Sequence, residues 1–219
     1  MTKLICELGI NHDGSYYQCK KLIDVAKVSK AWGVKFQYRN LRFYKNTNTN
    51  EIGNEIINKE LQKNYLSIKK IKLLTKYARS LNLKVGCSFF SKIETKDFKK
   101  FVFDFYKVPS VSSLDIDLIK HLKSKKKLVL ISTGSLRHED INYLSIKNFS
   151  NKKTVLLHCI SNYPLHPINA QLGILKLLKK KFPSSPIGYS SHENKIFNCL
   201  IALGCGIDFL ERHITLDKK

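Results

Sequence analysis

The chain has 219 residues, a length that most simply makes one domain, residues 1–219, with a real core. Its 39 Lys and Arg outnumber 17 Asp and Glu, a formal net charge of +22 that draws small anions. The basic residues are scattered in pairs and triplets such as Lys20-Lys21 and Lys125-Lys126-Lys127, without zinc-finger spacing, a paired aromatic strand motif or a basic heptad, so no nucleic-acid partner is expected.

Eight short apolar runs recur along the chain. The first, LICELGINH from Leu4, runs into the turn Asn11-His12-Asp13-Gly14, and Ser15 is placed to cap a helix over Tyr16 to Lys30. WGVKFQ from Trp32 ends at Gln37. Tyr38 to Asn54, rich in Asn, Thr and Lys without periodicity, reads as a long loop, the kind of element that becomes a substrate lid. One long helix is predicted from about Glu55 to Leu81. The remaining runs are LKVGCSFFS from Leu83, FYKVPS from Phe105, KLVLISTG from Lys127, TVLLHCISNYP from Thr154, PIGYSSH from Pro186 and IDFLERHITLD from Ile207. Helices fit between them at about Ile93 to Phe101, Leu114 to Leu122, His138 to Leu144, Ile168 to Lys181 and Asn194 to Leu203, the last stopped by Gly204.

Strand and helix alternating eight times is the pattern of a (β/α)8 TIM barrel, whose chemistry sits at the C-terminal ends of the strands. The fold typically takes about 250 residues. This chain reads as truncated after the eighth strand, so either a homodimer partner or another chain covers the face of the missing last helix, or the sequence is a fragment or a degenerate copy. Six cysteines show no CxxC spacing, and no signal peptide or apolar run of membrane length is seen. The expectation is a cytoplasmic, reduced protein with no membrane partner.

Four sets of strand-end residues carry chemistry. His192 and His213 close adjacent strands, about 5 Å apart, so their imidazoles either converge on one divalent ion or stand as unrelated polar residues. Glu211, two residues before His213, faces the same side. Lys35 and Lys107 lie near the ends of apolar strands, where a lone ammonium is costly. Each needs an anion, either a buried carboxylate such as Glu7 or a ligand phosphate. Ser88, Ser110, Ser132 and Ser190 ring the same mouth and, with Gly134, suit an anion cradle. His158, Ser161 and Tyr163 are expected near the mouth, where Tyr163 either contacts sugar hydroxyls or anchors a loop.

The blocks CELGINHDG, VKFQ, FYKVPS, LISTG, LLHCISNYP, IGYSSH and LERHITLD, in this order from Leu4 to Asp217, resemble the N-acetylneuraminate (sialic acid) synthase family, with its pseudaminic and legionaminic acid relatives. The resemblance implies an enzyme that condenses phosphoenolpyruvate with an N-acetylated hexosamine, giving a nonulosonic acid and phosphate. It implies a divalent metal, Mn or alternatively Mg or Co, on His192 and His213. By the same resemblance Lys35, Ser88, Lys107, Ser110, Ser132 and Ser190 hold phosphoenolpyruvate, Gln37, Ser161 and Tyr163 lie toward the amino sugar, and Glu7 is the strand-one acid of a catalytic set with Lys35, Lys107 and Glu211. The chain departs from the motifs in places. Pro109-Ser110-Val111-Ser112 stands where the family usually reads Gly-Ser-Gly-Glu, Ser190-Ser191-His192 replaces Ser-Asp-His, Ser161 replaces a common Asn, and the C-terminal antifreeze-like domain is absent. Two other readings follow from these departures: a degenerate barrel that binds metal or anion without turnover, or a synthase with another aldehyde acceptor.

Overall fold

The computed structural model describes residues 1–41, 54–137, 139–141 and 151–217. Eight parallel strands close into one ring in chain order: β1 (Lys3–Gly9), β2 (Gly33–Tyr38), β3 (Lys84–Phe89), β4 (Phe105–Val108), β5 (Leu128–Ser132), β6 (Thr154–His158), β7 (Ile187–Ser191) and β8 (Phe209–His213). These segments form strands because each is a short run rich in Val, Ile, Leu and Phe, and in a parallel sheet both faces are covered. Closure gives every strand two neighbours and leaves no edge.

The two strand faces have different tasks. Outward side chains such as Leu8, Val34, Phe36, Val85, Cys87, Tyr106, Val129, Ile131 and Tyr189 join the main core beneath the helices. Inward side chains Ile5, Phe105, Leu130, Val155, Leu157 and Phe209 form a second apolar cluster in the lower lumen, with Trp32 and Leu128 packed against it. Gly86 and Gly188 make room for this plug. A Cβ on Gly86 would lie 2.1 Å from the Phe105 ring, and one on Gly188 would lie 2.5 Å from Leu157.

The helices follow the predicted amphipathic stretches, with informative breaks. Ser15 accepts from Gln18 N and starts the helix Tyr16–Val28. The long helix predicted over Glu55 to Leu81 is two, Asn54–Lys63 and Ile68–Ser80. Asn64 folds its side chain back onto the Glu60 carbonyl (2.9 Å), and Ser67 caps the second helix through Lys70 N. Side-chain capping thus competes with helix continuation where no proline or glycine signals a break. The predicted Ile93 to Phe101 helix is a short 3₁₀ turn, Glu94–Phe98. Ile168 to Lys181 divides into a 3₁₀ turn, Pro167–Ala170, and a helix, Ile174–Lys181, around Gln171 in the left-handed region (φ 48°). The helices Ile116–Ser124 and Phe197–Gly204 lie close to expectation. Most of the predicted Tyr38 to Asn54 loop and of the His138 to Leu144 helix lies outside the described residues. Among the described residues no helix is long and apolar enough to cross a membrane, and all six cysteines are free.

Candidate active site

Strand register brings the predicted residues together. Glu7 is the Cα partner of Lys35 on one side and of His213 on the other. Ser88 pairs with Gln37 and Lys107, and Ser190 with Glu211. Inward alternation turns these positions into the lumen above the apolar plug.

At the centre are two lysines and two carboxylates. Lys35, fully buried, contacts the Glu7 carboxylate, donates to Ser88 Oγ at 2.6 Å and lies 3.9 Å from Glu211 Oε2. Glu7 also accepts from Gly9 N at 3.0 Å. Lys107 contacts Glu211 Oε1, which accepts from Ser190 Oγ at 3.0 Å. Burial pulls the Lys35 ammonium down from its usual range, with Lys107 pushing the same way and Glu211 opposing. Burial works against the Glu211 carboxylate too, but Lys107 and Lys35 outweigh it and hold the carboxyl below its usual value. Glu211 Oε2 is buried without a hydrogen-bond partner. Such an atom costs roughly 1–3 kcal/mol, more when charged, unless a ligand, water or ion meets it.

Beside this cluster stand the two histidines, ring centroids 6.3 Å apart. Burial lowers both imidazoles, His213 to about 4, so both are neutral at pH 7. His192 Nδ1 lies 2.6 Å from the Ile160 carbonyl. That contact requires Nδ1–H and leaves Nε2 with the lone pair, the tautomer a metal ligand needs. Tyr163 Oη is 2.9 Å from this Nε2, and the two ring centroids lie 4.0 Å apart with the planes tilted by 31°. His213 rests on Gly9: a Cβ there would come 2.9 Å from His213 Nδ1, and Gly9 has φ +52° at the register shift of β1. Among the described residues no group of three or more His, Cys, Asp or Glu side chains could hold a metal. The pair therefore has no third side-chain partner of those types in reach.

Ser110, Ser161 and Gly134 form a small polar cradle next to the cluster. Ser110 Oγ is 3.2 Å from Cys159 Sγ, and a Cβ on Gly134 would lie 2.7 Å from Cys159 Sγ and 2.9 Å from both Ser110 Oγ and Ser161 Oγ. Ser132 is buried at the end of β5, and Gln37 is half-buried at the end of β2. His158 does not share this space. It follows the inward Leu157, so its ring falls on the outer face, where Nε2 meets the Ala170 carbonyl at 2.7 Å and the ring stacks on Tyr189. Ser112, where the resembled motif has Glu, donates to the Phe90 carbonyl at 2.7 Å.

Sequence reasoning missed the residues that hold the loops. Buried Glu94 accepts from Phe90 N, Ser91 N and Asn40 N, tying the segments after β2 and β3 together. Glu193 and Arg212 do the same around His192. A carboxylate in the first turn after a strand, with bare backbone amides nearby, was the available signal for Glu94.

The chain is similar to known proteins over nearly its whole length. The chain is 30% identical to mouse N-acetylneuraminate-9-phosphate synthase over 225 residues, covering 98% of this chain and 62% of the relative. It is 30% identical to the N,N'-diacetyllegionaminic acid synthase of Legionella pneumophila, covering 99% and 64%. It thus spans less than two thirds of those relatives' length. The sialic acid synthetase structure from Leptospira borgpetersenii superposes with a TM-score of 0.87 at 28% identity, covering 99% of this chain and 74% of that one. The NeuB family model matches residues 22–219, the stretch that carries every predicted site residue except Glu7, and the chain belongs to the NeuB family.

Proposed function

We propose that the protein condenses phosphoenolpyruvate with the open-chain aldehyde of an N-acetylated hexosamine, releasing phosphate and a nonulosonic acid. The observation that carries this reading is the buried Lys35–Glu7 and Lys107–Glu211 cluster beside two neutral histidines. The relatives' synthase names support the same class.

In this reading Lys35 and Lys107 bind the anionic groups of phosphoenolpyruvate, with Ser88, Ser110, Ser132 and the close backbone approach at Gly134 completing the cradle. Glu7 and Glu211 pair with the two ammoniums and aim them, and Ser190 orients Glu211. Gln37, Ser161 and Tyr163 face the amino sugar. C3 of the enol phosphate bonds to the aldehyde carbon, whose oxygen takes a proton. Water adds at C2, and C–O cleavage expels phosphate to leave the ketone. Burial keeps bulk water away from Lys35 and strengthens each charge contact.

The histidine pair fits a divalent cation: His192 Nε2 carries a lone pair and His213 is neutral. His192 and His213 would hold it, and such an ion polarises a carbonyl oxygen as a Lewis acid. The test is phosphate release from phosphoenolpyruvate with N-acetylmannosamine and related aldehydes, with Mn²⁺ and after chelation. Release that needs both sugar and metal is expected. No release with any N-acetylhexosamine overturns the assignment. Ser112, committed to the Phe90 carbonyl in place of a carboxylate, favours the second reading, a barrel that binds anion and metal without turnover.

A further inference from the structure

Glu193 has no part in the chemistry above, yet it is 4% exposed and carries a carboxylate one residue beyond His192. Three donors converge on it. The Tyr189 hydroxyl and Ser191 Oγ (2.6 Å) come from β7, and Asn198 Nδ2 (2.9 Å) comes from the helix Phe197–Gly204. From the other side Arg212, on the outer face of β8, donates to the carbonyls of Glu193 (2.9 Å), Asn194 (3.2 Å) and Lys195 (3.2 Å). The His192 carbonyl is held as well, accepting from Leu165 N at 3.1 Å.

Proton bookkeeping shows why a carboxylate stands there. Ser191 Oγ accepts from Arg212 Nη1 at 2.7 Å and from Cys199 Sγ at 3.3 Å. Both lone pairs are used, so the hydroxyl proton must go to Glu193. Asn198 Nδ2 can only donate. An acceptor-only group with two oxygens satisfies Tyr189, Ser191 and Asn198 together. An amide in its place sets an N–H against one of these donors.

We propose that Glu193 is a positioning residue: tied to Tyr189, Ser191 and Asn198, it fixes the loop after β7 so that His192 keeps Nδ1–H on Ile160 and presents Nε2 to the site. The inference concerns the pose of His192; its consequence for metal rests on the function proposed above. Groups that orient a ligating histidine are worth about 10- to 100-fold in metal affinity.

The experiment compares the parent chain with Glu193→Gln and the milder Tyr189→Phe. Three quantities are read: Mn²⁺ affinity by calorimetry, the His192 tautomer by NMR of ¹⁵N-histidine protein, and the thermal midpoint. Expected for Glu193→Gln is a loss of about 10- to 100-fold in Mn²⁺ affinity and a His192 spectrum changed from one Nδ1–H tautomer to an exchanging mixture. Tyr189→Phe shifts both in the same direction by less. A folded Glu193→Gln with parental affinity and a parental His192 spectrum overturns the proposal. If Glu193→Gln fails to fold, Tyr189→Phe and Asn198→Ala decide by the same readings. If the parent takes no Mn²⁺, the metal assignment falls, while the imidazole spectra still decide whether Glu193 sets the ring.

Discussion

The lower and upper halves of the barrel lumen are built from the same alternating strands but solve opposite problems. Below, Ile5, Phe105, Leu130, Val155, Leu157 and Phe209 fill space and need only volume. Above, Glu7, Lys35, Lys107 and Glu211 are as deeply buried but need partners of the right charge. The plug excludes water from beneath, which makes each unpaired charge above it expensive and each paired one strong. Both halves bear on stability, and in the function proposed above ligand recognition falls to the upper half alone.

The largest expected effects test that division directly. Phe105→Ala and Lys107→Met should each cost about 3–5 kcal/mol in urea unfolding, the first by opening a cavity and the second by stranding buried Glu211. They should part in calorimetry with phosphoenolpyruvate: Phe105→Ala still binds it, and Lys107→Met does not. The paired change of Glu7→Leu with Lys35→Met should recover stability relative to Lys35→Met alone while binding stays lost, since apolar replacement of a whole buried pair is often neutral or better. Gly134→Ala comes next, costing about 1–3 kcal/mol by overpacking the cradle at Ser110, Cys159 and Ser161. Steady-state kinetics should show a raised KM for phosphoenolpyruvate with the sugar KM little changed.

A smaller effect should appear with pH at His12, whose Nδ1 accepts from Gly14 N at 3.1 Å. Burial holds its imidazole at about 4, below the usual value near 6.5. The unfolded chain therefore binds a proton that the folded one refuses. The stability this contributes is complete above pH 6.5 and drains away as pH falls toward 4. Thermal midpoints of His12→Gln should fall less steeply across that window, by on the order of 1 kcal/mol near pH 5. Smallest in stability is Tyr163→Phe, within about 0.5 kcal/mol because the side chain is largely exposed. Its reading is in the pH profile of Mn²⁺ binding, since the hydroxyl on His192 Nε2 is removed.

The barrel was legible because its signal repeats: eight apolar runs, each ending in polar residues, admit few other architectures. The Lys35–Glu7 pair was legible for a different reason, since a lysine inside an apolar strand demands an anion. What the sequence hid depends on contacts between distant segments. The break after Lys63 is an asparagine turning back on its own helix, with no proline to announce it. His158 is expected near the mouth by alternation, yet the strand period turns its ring outward onto Tyr189. Glu193 lies in a loop, outside every strand pattern, and its importance comes from Tyr189, Asn198 and Arg212 converging on one turn.

The seat of His213 on Gly9 bears on how this sequence can drift. Position 9 combines a left-handed backbone with an imidazole lying where a first side-chain carbon would go. Alanine there is penalised twice, once by strain and once by displacing the ring, and every larger residue more so. No compensating change at His213 is open without giving up the imidazole itself. Lineages that keep the chemistry should therefore hold glycine at this site, and those that lose glycine first mark copies released from catalysis.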